Sequence, residues 1–161
     1  MDVLEMVMEV ACVAGLAAAL GIAAATDLVH RIVPNGCAVA VALLGAVRAA
    51  AKGAVPAAAL GAAVVLAVML AAAAASERLC GRPGVGGGDV KLLAAAGVWT
   101  GPALGLAVVG ASCLLGLAGR AAVQLAARVR GRPRRSGGIP LAPAVAVATL
   151  VAVLGGASAA P

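Results

Sequence analysis

The sequence predicts an all-α membrane protein of about six transmembrane helices, and three features of its 161 residues carry that prediction. Hydrophobic residues make up 64% of the chain and charged residues only 11%, whereas a soluble domain carries about 25% charged residues. A soluble core of this size would be left with too little polar surface to dissolve it. The mean hydropathy is accordingly high, at +1.13. Finally, the apolar residues come in long runs punctuated by short stretches that hold most of the Lys and Arg, which is the pattern of a polytopic bundle. The length suits one domain, so residues 1–161 read as a single integral membrane domain.

A helix rises about 1.5 Å per residue, so roughly 20 apolar residues cross a hydrocarbon core about 30 Å thick. Residues 7–26, 54–75 and 139–160 each supply one such run. Residues 34–51 form a shorter one, with Pro34 suited to a helix's first turn. The run over 90–127 would be about 57 Å long as one helix, too long for a single crossing. Gly101-Pro102 offers a turn inside it, which divides it into a short fourth helix and a longer fifth. The first run is expected to be a retained helix rather than a secretory signal. Asp2, Glu5 and Glu9 lead it with no Lys or Arg, the reverse of a signal peptide's basic start.

Six crossings sort the charges. Arg31, Arg78, Arg82, Lys91, Arg128, Arg130, Arg132, Arg134 and Arg135 fall on one side, and Arg48 and Lys52 fall on the other with the acidic start. By the positive-inside rule the first side is cytoplasmic and both termini face outward, whereas five crossings would place the Arg-rich 128–135 loop outside. The net charge of +6 is thus explained by topology and by contact with the lipid bilayer. No nucleic-acid partner is expected, because the basic loop has no binding motif or aromatic platform around it. Phe and Tyr are absent and there is one Trp, Trp99, expected at an interface or in packing; close packing falls to small residues, among them 22 Gly. Gly97, Gly101 and Gly105 have the spacing of a helix-association motif but straddle the expected turn. Cys12, Cys37, Cys80 and Cys113 have no disulfide or metal-ligand spacing.

Six acidic residues exist in the chain. Three lie at its start, and Glu77 falls in a basic loop as an expected ion-pair partner. The remaining two are Asp27, directly after the first run, and Asp89, which ends Gly84-Val85-Gly86-Gly87-Gly88 just before the fourth helix. The topology brings both to the cytoplasmic boundary, and ionisable groups at the bilayer are costly enough to suggest function. Each has a plainer reading alone: Asp27 as a solvated loop carboxylate, Asp89 as the N-cap of the fourth helix. Two carboxylates sharing a site do not both ionise easily, so one holds a proton while the other acts as base, as in aspartic proteases. The poles of their own helices suggest Asp27 as the proton holder. Such chemistry requires neither metal nor cofactor.

Around these residues the chain resembles the type IV prepilin peptidases, a family of polytopic aspartic proteases of Gly-x-Gly-Asp architecture. The resemblance rests on Asp27, Arg31, Pro34 and Asn35, on Gly86-Gly87-Gly88-Asp89-Val90-Lys91-Leu92-Leu93 with the Ala-rich stretch that follows, and on Ile139-Pro140-Leu141-Ala142-Pro143. It implies a multi-pass enzyme of the cell membrane that removes the leader peptides of prepilins or pseudopilins at the cytoplasmic face, with Asp27 and Asp89 catalytic. Gly86 and Gly88 are expected to shape the loop. Lys91 is read either as an anchor or as a substrate contact, and Arg31 either as a substrate contact or as a boundary marker. Larger members carry paired CxxC motifs and an N-methyltransferase activity. This chain has no CxxC, so it looks like the short, peptidase-only form associated with Flp or tight-adherence pili. Two other readings compete: an intramembrane protease of the presenilin or signal-peptide-peptidase type, which pairs its aspartate with a Tyr that is absent here, and a small proton- or ion-coupled transporter, which favours carboxylates nearer the midplane.

Overall fold

The computed structural model describes residues 3–81, 86–130 and 141–155, all helical apart from short connections. Five helices follow one another: α1 (Val3–His30), α2 (Asn35–Ala51), α3 (Val55–Cys80), α4 (Gly87–Val129) and α5 (Ala142–Leu154). Arg82, Arg132, Arg134, Arg135, Ile139 and Pro140 lie outside the described residues. Val3–His30, Val55–Leu79 and Gly87–Val129 are long and apolar enough to cross a membrane, while Asn35–Ala51 and Ala142–Leu154 are shorter apolar helices.

Local chemistry sets the boundaries. α1 ends where Arg31 adopts a left-handed backbone (φ 56°) and its N–H bonds back to the Asp27 carbonyl at 2.9 Å. A side chain in that region costs about 1–2 kcal/mol. Pro34 then holds Val33 away from helical geometry and serves as the N-cap of α2. Pro56 occupies the first turn of α3, and Pro143 that of α5, where a missing N–H costs nothing. Helix α3 runs through Glu77, which stands exposed in its last turn rather than in a loop.

The fourth and fifth helices expected from sequence are joined as α4, but the break falls at the expected place. Gly101 has φ 71° and ψ −174° inside it, followed by Pro102. A Cβ built on Gly105 would lie 3.6 Å from the Gly97 Cα, whereas residues eight apart in an unbroken helix are about 12 Å apart. The chain therefore folds back sharply at Gly101. The fold-back packs on α3 through glycine. A Cβ on Gly97 would meet the Gly61 carbonyl oxygen at 2.7 Å, and one on Gly61 would collide with the Gly97 carbonyl oxygen. The spaced glycines thus seat α4 on α3 within the chain.

The core gathers Leu16, Leu20 and Ala23 of α1, Val41 of α2, Val65 and Met69 of α3, Leu92, Leu93 and Trp99 of α4, and Val145 of α5. Trp99 is a core residue whose indole N–H donates to the Val41 carbonyl at 2.9 Å. Many large apolar side chains point outward instead, among them Val10, Ile22, Leu43, Leu60, Leu114 and Leu125, as a lipid-facing surface requires.

Candidate active site

The two ends of the bundle are chemically different. At one end Glu9 of α1 pairs with Arg48 of α2 at 2.7 Å and with Lys52 at 3.0 Å. The Arg48 guanidinium also lies 5.5 Å from the Trp99 ring centroid. A cavity of about 380 Å³ opens beside these residues, between α1 and α2. This cavity is remote from the two aspartates: Glu9 and Asp27 are eighteen residues apart on one helix, or about 27 Å.

Asp27 lies one turn before the end of α1 and is 6% exposed. It continues the buried stripe Leu16, Leu20, Ala23, whose spacing of four, three and four residues keeps one helix face inward. This excludes the solvated-loop reading. Its carboxyl oxygen Oδ2 accepts a hydrogen bond of 3.0 Å from the backbone N–H of Ala142, the first residue of α5. The neighbouring Thr26 hydroxyl is occupied by the Ile22 and Ala23 carbonyls of its own helix.

Asp89 is half-buried at the third residue of α4. The N-cap is Gly86, so the capping role considered for Asp89 does not hold. Among the described residues its buried Oδ1 has no hydrogen-bond partner, and a Cβ on Gly86 would lie 3.2 Å from its Oδ2. Asp27 and Asp89 both stand at the end of the bundle where α1 ends and α4 begins. Among the described residues no Cα of α1 comes within 8 Å of a Cα of α4, although α2 and α5 each pack against both helices. Helices α2 and α5 thus bridge the two aspartate-bearing helices.

The other motif residues tie the two strands of this site together. Gly88 lies inside α4 rather than in the preceding loop, and a Cβ there would stand 3.0 Å from the Val33 Cβ. The Lys91 ammonium donates to the Asn35 side-chain oxygen at 3.1 Å, linking α4 to the start of α2. Arg31 is exposed at the same end, and its backbone is left-handed. The Ala142 amide was invisible to a reading based on side chains. Its signal was Pro143, which marks a helix start and hence free backbone donors.

The model of the type IV leader peptidase family matches residues 14–119, more than half of the chain and inclusive of both aspartates. The chain belongs to the type IV leader peptidase family. Neither a curated protein nor a solved structure matches it. The matched stretch of this leader peptidase runs from the middle of α1 into the second half of α4, so the α5 amide that meets Asp27 lies beyond it.

Proposed function

We propose that this leader peptidase is an aspartic endopeptidase that removes the leader of type IV prepilins or pseudopilins at the cytoplasmic face of the cell membrane. Asp27 and Asp89 are its catalytic pair. The observation that supports this reading is the placement of the buried Asp27 carboxyl at the end of α1, at the same end of the bundle as Asp89 at the start of α4. In the paired-carboxyl reaction one aspartate takes a proton from water as the water oxygen bonds to the scissile carbonyl carbon. The other gives its proton to the carbonyl oxygen. Collapse of the tetrahedral diol breaks the C–N bond. The first aspartate protonates the leaving nitrogen, and the second recovers its proton as the carbonyl re-forms. Water is consumed, and the pair returns to its starting state.

The six helical segments, counting both halves of α4, are proposed to cross the bilayer in alternation with both termini outside. The lipid bilayer and the prepilin are then the partners, and neither nucleic acid nor N-methylation enters. The position of both carboxyls at one end of the bundle argues against a proton relay, which favours the midplane. Co-expression with candidate prepilins and mass measurement of the processed pilin test the reading. Asp27→Asn and Asp89→Asn should each abolish leader removal while leaving insertion intact, and the double variant should be no worse than either. Full processing by either variant excludes the paired-aspartate mechanism.

A further inference from the structure

We infer that the first amide of α5 is part of the catalytic centre: Ala142 N–H holds Asp27 as the base, and Asp89 is the acid. This rests on the peptidase reading above and reverses the roles that the poles of α1 and α4 alone suggest. An N–H can only donate, so the Asp27 Oδ2 that it meets at 3.0 Å must accept; a proton on that oxygen would point at another hydrogen. Donation to a carboxylate is a charge-assisted bond, stronger than donation to a neutral acid. The amide also belongs to the first turn of a helix of 13 residues, whose partial positive end favours an anion at that place.

Asp89 has the complementary environment. Among the described residues no group donates to its buried Oδ1, a costly position for an ionised oxygen, so the neutral, protonated acid suits this place better than the carboxylate. The groups around Asp27 do not alter this division. Asp89 faces it from α4; Lys91, on the same helix, is engaged with Asn35. Helix α5 carries no titratable side chain between Ala142 and Leu154. On α2 the titratable groups are Cys37 near its start and Arg48 at the far end, paired with Glu9. His30 and Arg31, after Asp27 on its own strand, are exposed.

In the reaction, Asp27 takes the water proton on its free oxygen, Oδ1, while Oδ2 stays tied to α5. Asp89 delivers its proton to the scissile carbonyl. Ala142 is thus a positioning residue that acts through its backbone, and no side-chain substitution removes its effect.

The test uses the full chain in lipid nanodiscs. Infrared spectra of the wild type should contain a protonated-carboxyl band that persists in Asp27→Asn and disappears in Asp89→Asn. The opposite pattern overturns the assignment, whether or not the protein processes a prepilin. Replacing the Ala142 amide by the ester of lactic acid removes the donor alone. It should lower kcat by about 10- to 100-fold with KM little changed, and should shift the Asp27 carboxylate stretch. The same replacement at Ala146, an ordinary helix amide, measures the purely structural loss. An ester at 142 that costs no more than the one at 146 and leaves the carboxylate stretch in place refutes the role of Ala142. Normal processing by Asp27→Asn would instead refute the underlying peptidase mechanism.

Discussion

Replacing Gly88 by alanine tests whether the two aspartate-bearing segments are held in register by direct contact. The new Cβ would stand 3.0 Å from the Val33 Cβ, 3.6 Å from its Cγ2 and 3.6 Å from its carbonyl oxygen. Carbon atoms pack best at about 3.5–4.0 Å, so the start of α4 and the segment before Pro34 must separate by roughly half an ångström. Overpacking of this kind costs about 1–3 kcal/mol. The chemical effect should be larger than the structural one. A misplacement of about 1 Å in an active site can cost about 10²-fold, so half of it should lower kcat about tenfold, with KM less affected. Val33→Gly removes the opposing Cβ. Combined with Gly88→Ala it restores the clearance, and the double variant should recover most of the lost kcat despite the added backbone freedom of a second glycine. The cycle of single and double variants, assayed by leader removal and by denaturant unfolding in micelles, should show a coupling of about 1 kcal/mol or more. Strictly additive losses, or a Gly88→Ala enzyme with wild-type kcat, would show that this contact does not set the spacing of the pair.

Three other outcomes are expected. Gly97→Ala drives a methyl to 2.7 Å from the Gly61 carbonyl oxygen and should destabilise the α3–α4 packing by about 1–3 kcal/mol in micelle unfolding; unchanged stability would mean that the two helices slide apart freely. Glu9→Gln removes the carboxylate that pairs with a buried Arg48 and with Lys52, so stability should fall by about 1–3 kcal/mol. Processing per folded molecule should be unaltered, because the change lies about 27 Å from Asp27. In a cysteine-free background, an impermeant thiol reagent added outside should label Ala51→Cys and not Arg130→Cys, and the reverse pattern would invert the proposed topology.

The helices were legible because a long apolar run has few alternatives, and the fold-back at Gly101-Pro102 was legible because both residues break a helix for independent reasons. What escaped the sequence was depth and pairing. The apolar run places Asp27 just after the first span, yet Leu16, Leu20, Ala23 and Asp27 share one helix face, and α1 continues to His30. Hydropathy ends a run at the first charge, whereas the helix ends only where Arg31 turns left-handed. An N-cap role for Asp89 would start α4 at Val90, but the glycine run lets the helix begin three residues earlier, at Gly87. Glu77 was assigned to a loop for the same reason: a charged stretch can still be helix. The spacing of Gly97, Gly101 and Gly105 suggested association without naming a partner. That partner, Gly61, sits on another helix and has no sequence relation to them.

The placement of the polar groups explains why a chain with so few charges can carry a site at all. Helix α1 bears Glu9 near one end and Asp27 near the other, separated by about 27 Å, close to the hydrocarbon thickness of about 30 Å. Glu9 is held by Arg48 and Lys52 of α2, so α1 cannot slide along its axis without carrying an ion pair into the apolar core. Asp27 stands at the opposite end of the same helix. At that end α2 starts beside Lys91 through Asn35, and α5 starts on Asp27 through Ala142. Four helix termini are thus joined by two hydrogen bonds that need no acidic or basic side chain beyond Asp27 and Lys91. Helix ends supply the unpaired backbone groups that a hydrocarbon interior lacks. The proposed chemistry is placed where α1 ends and α2, α4 and α5 begin, because that is where a mostly apolar chain still has polar groups to spare.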